Sequence, residues 1–142
     1  MKLFDVSHTV LIVVGSAISQ EVNDRPLAYR LKREIDGRGD PAKWKLAIVV
    51  SDLAYESDAV IQACPTVSIG GVASNAVSAR FCRILPVALS VERKSFVQLE
   101  ITFRDPRVLL WGIDPASTVK AVDLFLEQGY LDKYLRYVWR WG

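Results

Sequence analysis

A chain of 142 residues with 51% hydrophobic and 24% charged side chains has the size of one domain, with enough core material to need neither metal nor disulfide. Its formal net charge of +2 is too small to argue for nucleic acid or an anionic membrane surface. No segment reaches the roughly 20 apolar residues of a membrane span, and Cys64 and Cys82 read as buried, reduced thiols rather than a disulfide framework.

The first apolar run, Val10-Leu11-Ile12-Val13-Val14, is shorter than a signal-peptide core, and Asp5 and His8 stand where a basic leader would lie. It reads as the first strand of a cytoplasmic protein. Gly15 closes it, and 16–24 reads as a long loop. A helix follows over 25–36, with Asp24 placed to cap it, Pro26 in its first turn, and Leu27, Leu31 and Ile35 on one stripe. Gly37, Gly39 and Pro41 end that helix. A second strand over 46–50 closes at Ser51-Asp52, and 53–63 reads as a short helix. The third strand is short and ends at Gly70-Gly71. The next helix, over about 74–84, is capped by Ser74, carries Val77, Phe81 and Ile84 on one side, and is stopped by Pro86.

Period-two alternation then takes over. Val87, Leu89 and Val91 form one strand, and Val97, Leu99, Ile101 and Phe103 form its antiparallel partner across Arg93-Lys94-Ser95. Asp105-Pro106 turns the chain into a last strand, 107–111. Asp114 or Ser117 caps a helix whose apolar face is Val119, Val122, Leu124, Phe125 and Leu126. Gly129 breaks it, and a second helical pattern runs on through Trp139. The expected fold is therefore α/β: a three-layer, Rossmann-like domain, with a mostly parallel sheet and an antiparallel meander before the last parallel strand.

Three apolar runs end in glycine and lead into a helix, and in an open α/β sheet such corners converge on the carboxyl edge of the strands. The expected ligand contacts are Gly15, Ser16 and Ser19 after the first strand, Asp52 after the second, Gly70, Gly71, Ser74 and Asn75 after the third, and Gly112, Asp114 and Thr118 after the last. Loop N–H groups and helix N-termini there suit a small anionic or nucleotide-like ligand. No Gly-x-Gly-x-x-Gly fingerprint and no Gly-Lys-Ser/Thr loop is present, and Asp52 lies too far beyond Gly15 to be the acid of a fingerprint. His8 is the sole histidine and precedes the first strand, at the edge away from the glycine corners. A metal site and a nucleophilic triad are both disfavoured by that placement. No residue set names a cofactor or a reaction.

A second use is written in the C-terminal helix. Leu131, Tyr134, Leu135 and Val138 make one apolar face, widened by Tyr130, Tyr137 and Trp141. Aromatic residues are enriched at subunit interfaces, so the alternative is a non-catalytic subunit that self-associates through Tyr130, Tyr134, Tyr137 and Trp141.

Overall fold

A computed structural model describes residues 4–140. Val10–Val14 (β1) is buried along its whole length, as a strand of five branched or leucine side chains between two neighbours must be. Two helices follow it directly: Ile18–Asn23 (α1) and Arg25–Gly37 (α2). The chain continues through Ala47–Ser51 (β2), Asp52–Glu56 (α3), Thr66–Ile69 (β3), Ala76–Ile84 (α4), Val87–Val91 (β4), Ser95–Leu99 (β5), Arg107–Gly112 (β6), Pro115–Glu127 (α5) and Tyr130–Val138 (α6).

The six strands form one mixed sheet in the order β2-β1-β3-β6-β5-β4. β2, β1, β3 and β6 are parallel, while β5 runs antiparallel to both β6 and β4. The meander expected before the last parallel strand is thus present, and it returns β6 to the side of β3. Chain order spreads outward from the centre, to β2 on one side of β1 and to β3 and β6 on the other.

Alternate residues of β1 supply two separate cores. Val10, Ile12 and Val14 join Leu27, Leu31 and Ile35 of α2 with the apolar faces of α5 and α6. Leu11 and Val13 face Tyr55 of α3 with Val77 and Phe81 of α4. Each such side chain withdrawn from water contributes about 1.5–3 kcal/mol relative to its exposure. At β1 both faces of the sheet are covered.

Several local expectations change. Residues 18–23 are helical rather than loop, and Asp24 makes no capping bond because α1 runs almost straight into α2. The 53–63 helix stops after one turn, with a 3₁₀ turn at Ile61–Ala63. Asn75, not Ser74, caps α4, and Asp114, not Ser117, caps α5. Ile84 and Val119 are exposed rather than part of their helices' buried faces. β5 stops at Leu99 because its partner β4 begins at Val87 and Pro86 accepts the last ladder bond from Leu99 N–H at 3.0 Å. The chain then turns, with Phe103 N–H donating to Glu100 O at 2.8 Å, which leaves Ile101 in solvent and Phe103 buried in the left-handed region (φ 57°).

Candidate functional site

All four parallel strands end at one edge, where the segments that follow them are tied together by side chains. Asp52 is the central tie. Its Oδ1 accepts from Ser16 Oγ at 2.5 Å and from Leu53 N–H at 2.9 Å, and its Oδ2 accepts from Ala76 N–H at 2.9 Å. One carboxylate therefore joins the corner after β1, the start of α3 and the first residue of α4. Asn75 does the same for β3. Its Nδ2 donates to Ser68 Oγ at 3.2 Å and to Ile69 O at 3.1 Å, while its Oδ1 accepts from Val77 and Ser78 N–H. Asp52, Ser16 and Asn75 are thus committed to the framework.

The glycines divide in the same way. A Cβ on Gly15 would stand 2.3 Å from Ser74 O, and one on Gly112 would stand 2.3 Å from the carbonyl carbon of Ser117. These two corners are glycine because a neighbouring segment packs directly on the backbone. Gly70 has φ +117°, and a Cβ there would lie 2.5 Å from Asp24 Oδ2. Gly71 differs: the nearest atoms to a Cβ are 3.9 Å away, in ordinary contact, and its backbone suits any residue.

A pocket of about 210 Å³ lies where α1 meets α2, between the corners after β3 and β6. Of the expected contacts it brings together Gly71, Ser74, Gly112, Asp114 and Thr118. Gly15, Ser16, Asp52, Gly70 and Asn75 are not part of its lining, and Ser19 spends its hydroxyl on Gln20 Oε1 at 2.7 Å. The wall after β6 is pre-built: Gly112 N–H donates to Thr118 Oγ1 at 3.1 Å, Thr118 Oγ1 donates to Asp114 O at 3.2 Å, and Asp114 Oδ1 accepts from Ser117 N–H at 2.7 Å. The Ser117 bonds hold the Asp114 carboxyl below its ordinary range.

Asn23, at the end of the loop expected to hold a ligand, also lines the pocket, whereas two further polar lining residues, Gln20 and Asp24, were not expected as contacts. Gln20 and Asp24 are 9% and 4% exposed, whereas Ile18 and Val22, on the same turns, are 84% and 71% exposed. Helix α1 is inside out, with its polar face towards the protein. That inversion was present in the spacing, since Gln20 and Asp24 recur at i, i+4 as do Ile18 and Val22, but the pattern marks a buried helix only when the apolar residues are inside. Burial pushes the Asp24 carboxyl up to about 6, against a partly offsetting hydrogen bond from Gln20. Among the described residues no lysine or arginine lines this pocket, and Asp114 is its only other titratable group.

The opposite edge is built differently. His8 lies there, with Nδ1 3.2 Å from Lys43 O, and Trp139 Nε1 donates to His8 O at 2.6 Å. A larger hollow of about 570 Å³ between Cys64, Glu100 and Arg104 is a shallow trough, and its charged walls Arg107 and Asp105 pair with each other at 2.7 Å. The Cys64 thiol there is pushed up to about 11, chiefly by burial, and is not an activated nucleophile.

Helix α6 gives its apolar face to the core. Tyr134, expected on a self-association face, is wholly buried, donates to Pro106 O at 2.8 Å and meets Phe103 and Phe125 edge-on. Tyr130 and Tyr137 are half-buried against the same core, and Trp141 lies outside the described residues. Among the described residues no three metal-ligating side chains gather, and no helix is long and apolar enough to cross a membrane. No protein-family model and no curated protein matches the chain.

Proposed function

We propose that this is a small-ligand-binding protein of three-layer, Rossmann-like build, whose site is the pocket over β3. Helix α2, on the path from β1 to β2, packs into one core, whereas α4, which follows β3, packs into the other. The chain therefore departs in opposite directions on the two sides of the β1–β3 pair, the arrangement that opens a crevice at the carboxyl ends of the strands in open α/β sheets. The observation that carries the reading is Asp24, a carboxylate 4% exposed that faces a pocket lined by no cation among the described residues. Burying an acid without a basic partner costs stability near neutral pH, and that cost supports a role for it in binding.

The lining changes the class of ligand from the anion that the corners alone suggest. Asp114 already occupies the N-terminus of α5, accepting Ser117 N–H with its side chain and Thr118 N–H at 3.0 Å with its carbonyl. Asn75 occupies that of α4. A phosphate would meet two carboxylates, and the volume of 210 Å³ is below the roughly 300–1,000 Å³ of drug-sized ligand sites. The proposed ligand is small, polar and not anionic.

The competing reading, a subunit assembled through α6, keeps only Tyr130 and Tyr137 among the described residues, because Tyr134 is part of the core. A fragment screen followed by ¹H–¹⁵N spectra separates the two. Small polar fragments are expected to move the amides of Gly71, Ala73 and Ile113 in the wild type and to lose that effect in Gly71→Leu, whose side chain fills the pocket without backbone strain. Fragments that bind Gly71→Leu equally well, or that gather only at the opposite trough, sink the proposal.

A further inference from the structure

We infer that the pocket selects a ligand bearing a positively charged amino group, which docks on the Asp24 carboxylate. This inference rests on the small-ligand reading above and narrows it to a class.

The carboxylate is close-packed in the fold. Asp24 lies at the α1–α2 junction, one turn after Gln20. Its Oδ2 reaches so close to Gly70 that a Cβ there would stand at 2.5 Å. The side chain performs neither of the tasks an acid in this position usually has. It makes no capping bond to α2, and no salt bridge to it is present among the described residues. Its nearest basic neighbour in sequence, Arg25, is turned to Glu21 at 3.0 Å.

The rest of the lining matches an ammonium group. Asp114 contributes a second carboxylate, and the hydroxyls of Ser74 and Thr118 add oxygen acceptors. Two carboxylates without a third ligating side chain fall short of a metal site among the described residues. Ala73, Ile113 and Pro115 supply apolar wall, which suits a short hydrocarbon body behind the charge. A carboxylate shielded from water attracts a cation far more strongly than an exposed one, because solvent no longer competes. The upward displacement of the Asp24 carboxyl agrees with this. An unmatched charge in the pocket favours its neutral form until a cation arrives.

The test compares butylammonium, 1-butanol and butyrate, which share a chain and differ in charge, by ¹H–¹⁵N titration at pH 7.5 and constant ionic strength. Butylammonium is expected to shift Gly71, Ala73 and Ile113 at concentrations at least tenfold below those needed for the other two. Asp24→Asn should lose at least tenfold in butylammonium affinity while leaving the response to butanol in place, and Gly71→Leu should abolish all three. Spectral dispersion of each variant reports that it is folded. Butanol or butyrate binding as well as the amine, or Asp24→Asn binding the amine as the wild type does, overturns the inference and leaves the pocket as a ligand site. No response in these amides to any probe overturns the inference together with the reading beneath it.

Discussion

Asp24 and Asp114 are two carboxyls on one pocket displaced in opposite directions, and they give the protein two separate pH responses. The Asp24 carboxyl is raised from 3.8 to about 6 by burial, so between those values the folded chain holds a proton that the unfolded chain has released. Stability contributed by this group is full below 3.8 and is lost as pH rises through 6. The difference is worth about 1–3 kcal/mol, reduced by whatever water reaches the site. Asp114 acts in the other direction and in another window, losing its contribution only as pH falls below 3.8. Urea denaturation of the wild type should therefore show stability rising from pH 7.5 to pH 4.5. Asp24→Asn should be flat over that range and about 1–2 kcal/mol more stable at pH 7.5. A wild type that is flat there would show that Asp24 is not sealed from water. In the sequence Asp24 stands before a proline-containing helix start and reads as a cap. That local reading is sound chemistry, and it fails because a helix ends where a loop was expected.

At the scale of elements, the strands and long helices were legible because their apolar residues face inward at a regular period. β1 is a continuous apolar run, and the stripe Leu27, Leu31 and Ile35 of α2 is buried as its spacing requires. Short elements were not legible, since α1 presents its apolar side to solvent and β5 is cut by the length of its neighbour. The expected site residues divide between the pocket lining and bonds that tie the corners together. Serine, asparagine and aspartate at strand ends can bind ligands or bind their own backbone, and the choice depends on distant segments. Asp52 shows this: its partners Ser16 and Ala76 belong to two different corners. Asp52→Ala should destabilise the protein by about 2–4 kcal/mol, since it strands a hydroxyl and two amides that were bonded to a charged group. The measurement is chemical denaturation. A loss below 1 kcal/mol would mean that water replaces the carboxylate freely.

For the molecule as a whole, the sheet is graded from centre to edge. β1 is bonded to β2 and β3, and β3 to β1 and β6, whereas β4 has only β5 and carries a register irregularity between Val87 and Leu89. Native-state hydrogen exchange should find the slowest amides in β1 and β3 and much faster ones in β4 and in the one-turn helix α3. Equal protection of β4 and β1 would indicate that the outer edge is covered by something else, such as a second subunit. Strand order was not legible from local pattern, because the same alternation suits an edge hairpin placed on either side of the sheet.

The bond from the Trp139 indole to the His8 carbonyl joins residues 131 positions apart in the chain, and it turns the path of the backbone into something close to a ring. A ring has no privileged starting point. The exposed turn at Glu92 and Arg93, at the far side of the β4–β5 hairpin, is a place where the same circle could be opened without disturbing either core. The order in which the elements are threaded is then separable from their arrangement in space, which packing decides.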